Sequence, residues 1–278
     1  SYYFEITMFH LLFLEDSSRL GRLDYASFSQ QSLMEMVIDG MTNTSKRTIC
    51  GSSTTPKDIH EWLNVIFDDT DEVAHIFWYL RKLSGSVFLQ WLPSTVRKVE
   101  IWTNKLSGSV DLTSLPEALS ILYMDTNRFS GDIDLTHLPK KLVELTASNN
   151  ELSGTLDLDH LPESLKILHL QRNHFVGPIS LTRLPPKLRG LAVATNKLTG
   201  SIDLTKLPGK MEKLFLYENY FEGRLDFSSL PDSMEILDIA VNPNLTGEIT
   251  VSAHPTTAFR AERSGVTIRS TEEGDRQV

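Results

Sequence analysis

The sequence predicts an α/β repeat fold. It is a right-handed solenoid of stacked coils, with one parallel strand per coil on its concave face, a thin, mostly non-helical convex side and a helical N-terminal cap. Three ladders predict it. Leu-Pro recurs seven times at an interval of 23 residues, with the prolines at Pro93, Pro116, Pro139, Pro162, Pro185, Pro208 and Pro231. Asparagine runs in step at Asn104, Asn127, Asn150, Asn173, Asn196, Asn219 and Asn242. Glycine does the same at Gly85, Gly108, Gly131, Gly154, Gly177, Gly200 and Gly223. A strict period of about 20–50 residues marks an array of stacked units, none of which buries its apolar face alone. Such arrays work through the surface they present.

Each part of the repeat has a physical reading. The alternation Leu122-x-Met124 predicts a short strand with one buried face. Stacking pairs these strands into a parallel sheet at about 4.8 Å per coil, and the rest of each repeat is the crossover that a parallel pair requires. Each Asn follows its strand where the chain turns inward. Its amide has donors and an acceptor, so it is expected to bond backbone groups of its own coil and the next. The Gly permits a tight turn. The following Val110-Asp-Leu112, Ile133-Asp-Leu135, Leu156-Asp-Leu158 and Ile202-Asp-Leu204 are expected to form a second short strand. Leu-Pro is an extended join that cannot continue a helix. The Asp column (Asp111, Asp134, Asp157, Asp203, Asp226) is read as a set of Asx turns. A calcium ladder fits it less well, because position 180 is Ser and no second carboxylate accompanies each Asp.

The unit L-x-x-L-x-L-x-x-N-x-L, seen from Leu119 to Phe129 and again in Leu165–Phe175 and Met211–Phe221, resembles the leucine-rich repeat family. The S-G-x-I-D-L that follows resembles the plant-type L-x-G-x-I variant, and the Leu-Pro-x-x-Leu join is similar to repeats of kinetoplastid protozoa. The resemblance spans roughly residues 70–250. In register, Val73, Ile76, Trp78 and Leu83 take the leucine positions of an earlier coil, with Arg81 in place of Asn. The stretch from Trp62 resembles the W-x-G-V-x-C of plant-type N-terminal caps, with Asn64 for the Gly and Phe67 for the Cys. The resemblance therefore implies a cap without its disulfide, held by apolar packing.

The chain divides into an N-terminal helical cap (1–68), about eight coils of 23 residues (69–250) and a C-terminal cap with a flexible tail (251–278). Within the first part, Ser27 to Met41 has a helical apolar pattern (Phe28, Leu33, Met36, Val37) ended by Gly40, and a second helix is expected near Pro56 to Ile66. Thr42 to Thr55 between them is polar and reads as a linker. The apolar segment Ile6–Leu14 contains His10 and lacks a basic leader, so it reads as a packed element rather than a signal sequence. At the other end, Asn242 to Gly247 carries one extra residue and Pro255 to Ile268 is a decayed coil expected to close the stack.

The 278 residues carry a net charge of −9 and one cysteine. The acidic balance argues against nucleic acid and anionic membranes as partners, and no run is long enough to span a bilayer. One cysteine, Cys50, excludes an internal disulfide, which favours an intracellular compartment. The sequons at Asn43 and Asn244 are too few to reverse that. No nucleophile elbow, phosphate loop or zinc-spaced His set occurs. The sequence reads as a non-enzymatic protein-binding scaffold or adaptor with no cofactor and no metal. A structural subunit of a large intracellular assembly is the second reading. An RNA-contacting protein, using Lys140, Lys141, Lys166, Lys187 and Lys210 after the Leu-Pro joins, is the third.

Packing fixes the leucine positions, so a specific surface must be written in the residues that alternate with them on the strand face. The candidates there are Phe77, Tyr79, Trp102, Tyr123 and Asp125 toward the N-terminal end, His169 and Gln171 centrally, and Phe215 with Tyr217 beyond. Exposed aromatics are over-represented among binding hot spots. The small row Gly190, Ala192, Ala194 is expected to leave a hollow in this face.

Overall fold

A computed structural model describes residues 28–251 and 258–270. Its backbone is a single stack of coils. A ten-stranded sheet runs its length in the order Val65–Phe67, Val73–Phe77, Lys98–Glu100, Ile121–Tyr123, Glu144–Thr146, Ile167–His169, Gly190–Ala192, Lys213–Phe215, Ile236–Asp238 and Ala258–Arg260. The first strand is antiparallel to the second, and all later pairs are parallel. Register follows the repeat, so Leu122 faces Leu145 and Leu145 faces Leu168. Nine parallel strands make nine turns. The ninth, Ala258–Arg260, lies in the decayed C-terminal segment, whose repeat signature is too eroded to count as a full coil in the sequence.

The core lies behind this sheet. Leu122, Leu145, Leu168, Leu191 and Leu214 are fully buried. One core column alternates Leu106, Phe129, Leu152, Phe175, Leu198 and Phe221, all at 0% exposure. Large and smaller side chains thus interleave from coil to coil, which fills the interior without stacking phenyl on phenyl.

A second set of parallel strands lies just past each Asn: Ser84–Gly85, Lys105–Gly108, Arg128–Asp132 and Glu151–Ser153 in one group, then Val176–Gly177, Lys197–Gly200, Tyr220–Arg224, Asn244–Val251 and Gly265–Ser270 in another. This corrects the expectation of a strand at Ile/Leu-Asp-Leu, where no strand forms. The cause is the Asp. Asp111 Oδ1 accepts from Thr113 N (2.8 Å), Asp134 from Thr136 N (2.7 Å), Asp157 from Asp159 N (2.9 Å) and Asp203 from Thr205 N (2.8 Å). An N–H held by its own coil cannot join a ladder to the next. Leu-Pro closes the coil differently: each proline carbonyl accepts from the N–H three residues on, as Pro139 O does from Leu142 N at 2.9 Å. In the array the only helical element among the described residues is a 3-10 turn at Leu89–Trp91.

The Asn ladder is the seam between coils. Asn150 Nδ2 donates to Ala147 O of its own coil (3.1 Å) and to Met124 O of the preceding coil (3.1 Å), while its Oδ1 accepts from Phe129 N (3.0 Å). The other ladder members repeat the pattern with small variations. Each Asn side chain therefore reaches back to the preceding coil, while the backbone N–H of the same residue bonds forward to the next, as Asn150 N does to Arg172 O.

The N-terminal cap departs from expectation. The first helix is shorter, Gln30–Val37, started by the Ser29 hydroxyl accepting from Ser32 N. The supposed linker holds a second helix, Asn43–Cys50, capped by Thr42 and ended by Gly51 at φ 77. Its apolar content is small, and only Ser45, Ile49 and Cys50 are buried, so caps rather than periodicity betray it. Pro56 to Ile66 is not a helix. It forms a 3-10 turn at Ile59–Glu61 and then the antiparallel strand Val65–Phe67, with Asn64 at φ 51 breaking the path between them. At the cysteine position Phe67 packs, partly buried, against the core; Trp62 and Trp78 are buried, and the Trp78 indole donates to Leu63 O at 2.8 Å. The segment Ile6–Leu14 and the tail 271–278 lie outside the described residues. No helix among the described residues is long and apolar enough to cross a membrane.

Candidate functional site

The outward residues of the main sheet form three columns. The strands themselves supply two. The third continues past them on backbone bonds such as Thr103 N to Asp125 O (2.8 Å), Asn149 N to Gln171 O (2.9 Å) and Thr195 N to Tyr217 O (2.8 Å). Phe77, Tyr123, His169 and Phe215 fall in the second column; Tyr79, Trp102, Asp125, Gln171 and Tyr217 fall in the third. All nine are half-buried.

At the N-terminal end the structure brings four of them into one patch. Tyr79 and Trp102 stack with ring centroids 4.6 Å apart and planes 3° from parallel. The Lys98 ammonium lies 5.5 Å from the Phe77 ring centroid and 5.8 Å from that of Tyr123, a cation–π arrangement with both. Glu100 ties the group together: its carboxylate is 2.7 Å from Lys98 Nζ and accepts from the Trp102 indole N–H at 3.2 Å. Lys98 and Glu100 are absent from the sequence-derived candidates. The signal for them is register, since residues 23 apart share a column and Lys98 stands one strand from both His75 and Ile121.

The next coils are polar and interlocked. The Tyr123 hydroxyl donates to the Glu144 carboxylate, and the Thr146 hydroxyl donates to Asp125. Asp125 Oδ1 also accepts from Ser148 N at 2.8 Å. Burial, then the bond to Glu144, pushes the Tyr123 phenol well above its ordinary value. Burial holds the His169 imidazole below its usual range, partly opposed by the Asp125 and Glu144 charges. Phe215 and Tyr217 do not join the first patch. Five coils separate Tyr217 from Trp102, about 24 Å at the spacing of parallel strands. Gly190, Ala192 and Ala194 lie between and are buried rather than open, with Ala192 at 3% and Ala194 at 0% exposure. The expected open hollow is thus a row shielded by its larger neighbours.

Cys50 sits at the end of a helix, not in a linker. It is buried, its Sγ donates to Lys46 O and Ser52 O at 3.0 Å each, and burial raises its pKa. Those are the marks of a structural thiol. Lys140, Lys141, Lys166, Lys187 and Lys210 are all exposed along one edge, where Glu163 also stands exposed. Among the described residues, no three His, Cys, Asp or Glu side chains are placed to hold a metal ion.

No protein-family model and no curated protein matches the chain. Solved structures do. The leucine-rich repeat ectodomain of the Arabidopsis thaliana membrane receptor kinase GASSHO1/SCHENGEN3, in complex with CASPARIAN STRIP INTEGRITY FACTOR 2, overlaps 86% of this chain at TM-score 0.50 and 17% identity. The chain spans 36% of that ectodomain. Pollen Receptor Kinase 3 overlaps 66% of this chain and 96% of its own at TM-score 0.48 and 24% identity. The Arabidopsis receptor kinase HAESA, with the peptide hormone IDA and the co-receptor SERK1, overlaps 85% and 50% at TM-score 0.46 and 20% identity. The first of these likenesses bears on fold alone.

Proposed function

We propose that this leucine-rich repeat solenoid is a non-enzymatic binding module that holds a protein partner on the concave sheet face. One observation carries the reading: the stacked Tyr79–Trp102 pair, with Lys98 between the Phe77 and Tyr123 rings, forms an aromatic and charged patch on the sheet. The repeat's framework does not need it. Coils without aromatics in these columns, such as the one bearing Gly190 and Ala192, stack in the same register. Clustered, half-buried aromatic side chains are the residue types enriched in interface cores. The GASSHO1/SCHENGEN3 ectodomain, likewise a leucine-rich repeat array, is seen in complex with another molecule, which is in keeping with a binding role. The single buried thiol favours an intracellular setting for this chain. The edge lysines, interrupted by Glu163, are read as solvated charge rather than as a nucleic-acid track.

The test is affinity capture with the full chain, followed by binding measurements on the captured partner with Trp102→Ala and Tyr123→Ala. Loss of about tenfold or more in either variant is expected of a hot-spot residue. Unchanged affinity in both folded variants removes this patch as the docking site.

A further inference from the structure

Beyond the aromatic patch, the centre of the concave face holds polar groups without partners. Ser148 is 7% exposed, and its Oγ makes no hydrogen bond. Gln171 Oε1, one coil further along the same column, is shielded and unbonded as well. Buried polar atoms are ordinarily paired, and leaving one unpaired is costly. The local backbone does not use these groups: Asp125 already holds Ser148 N–H and the Thr146 hydroxyl. Beside Gln171 comes the small row. A Cβ built on Gly190 would find only His169 Nε2 within 4 Å beyond its chain neighbours, at 3.7 Å. Ala192 and Ala194 are screened from water, so an entering group must part the larger side chains on either side.

The charges around this floor favour a cation. Asp125 and Glu144 are close enough to act on His169. Of the opposing cations, Lys98 is engaged by Glu100 and Lys213 lies 3.7 Å from Glu235, while Arg172 is exposed beside the column. Burial lowers the His169 pKa and so disfavours its charged form. An amide oxygen, a hydroxyl and two carboxylates are matched by a group rich in N–H donors and positively charged. A guanidinium presents several donors in one planar fork.

We propose that the Ser148–Gln171 floor takes an arginine side chain of the bound protein, donating to Gln171 Oε1 and Ser148 Oγ beside the Asp125 and Glu144 carboxylates. This deepens the reading of the concave face as the docking surface and rests on it. The test uses the full chain, 15N-labelled, titrated at physiological salt with acetyl-Gly-Arg-Gly-amide and its citrulline and glutamate counterparts. The Gln171 side-chain amide signal is identified by its loss in Gln171→Ala. The arginine peptide should move it saturably, the citrulline peptide about tenfold more weakly for want of charge, and the glutamate peptide not at all. Ser148→Ala should weaken the titration, and Lys187→Ala on the outer edge should not. An unmoved Gln171 signal, equal response to arginine and citrulline, or an undiminished response of that signal in Ser148→Ala overturns the assignment. With the captured partner, loss in Trp102→Ala but not in the Ser148→Ala, Gln171→Ala double variant sinks this inference alone. Loss in neither sinks the docking surface itself.

Discussion

Asn173→Ala isolates what the asparagine seam contributes. Asn173 is 5% exposed; its Nδ2 donates to Ala147 O (3.0 Å) and Leu170 O (3.1 Å), and its Oδ1 accepts from Leu152 N (3.0 Å). The two carbonyls are shared and keep a partner after the substitution. Asn150 Nδ2 also donates to Ala147 O at 3.1 Å, and Asn196 Nδ2 to Leu170 O at 3.1 Å. The Leu152 N–H instead loses the side-chain oxygen that satisfies it inside the core. An orphaned buried donor costs about 1–3 kcal/mol, and each carbonyl bond lost to a still-satisfied acceptor about 0.5–1 kcal/mol. The expected destabilisation is therefore about 3 kcal/mol, carried mainly by one N–H. Urea unfolding followed by circular dichroism measures it, with an unchanged m-value as the condition for reading the midpoint as stability. Tryptophan fluorescence is a second probe, because Trp62 lies in the cap and Trp78, Trp91 and Trp102 in the first coils. If the stack unfolds as one unit both probes shift together, and if nearest-neighbour coupling is weak the circular dichroism shifts first. Glu151→Ala, exposed one residue past the ladder, is the control and should change stability by less than about 0.5 kcal/mol. A loss under about 1 kcal/mol in Asn173→Ala, or an equal loss in the control, refutes the orphaned-donor argument.

Leu152→Phe would set a third phenyl between Phe129 and Phe175, all at core positions now fully buried. Despite the added apolar surface it should destabilise by about 1–3 kcal/mol in the same unfolding assay. Gly85→Ala should loosen the cap. Gly85 is at φ 91, and a Cβ there would lie 2.5 Å from Gly40 O and 2.7 Å from Met41 Cα, both backbone atoms. Gly131→Ala, at φ 83 with only Ser109 Cβ at 3.8 Å, carries just the left-handed strain of about 1–2 kcal/mol. Limited proteolysis near residues 38–45 should accelerate in the first variant and not in the second. The pH dependence follows from the histidines. Burial holds His169 and His75 below their ordinary values. The unfolded chain then takes up protons at about pH 6.5 that the folded chain refuses, so their contribution to stability falls as pH drops below that point. His60 acts oppositely, because hydrogen bonds to Asp58 and Asp71 raise its pKa. His169→Gln should flatten the acid-side decline between about pH 5 and 6.5 in unfolding midpoints; an unaltered slope would discount His169.

Legibility in the sequence tracked the range of the interactions concerned. The parallel sheet, the buried leucines, the Asx turns and the inward Asn all follow from a rule applied within one coil and repeated every 23 residues. The Asn43–Cys50 helix did not, because its only apolar residues are Ile49 and Cys50 and the polar run around them reads as a linker. The misplaced second strand turned on one hydrogen bond: whether the Thr113 N–H pairs with the Asp111 side chain or with the neighbouring coil.

The candidate surface divides the same way. Column membership of Trp102, Tyr123 and Gln171 is pure register, and alternation suffices to read it. That Tyr79 lies flat on Trp102, that Lys98 sits between two rings, and that Ser148 Oγ and Gln171 Oε1 are left without a hydrogen bond depends on side-chain rotamers in adjacent coils. Those contacts join residues 21 to 25 apart whose types no repeat constrains. By itself, then, the sequence determined the solenoid and which positions face outward, because stacking imposes the same chemistry on every coil. Only the tertiary structure decided which outward groups satisfy one another and which are left without a hydrogen bond, because that depends on packing between neighbours that differ.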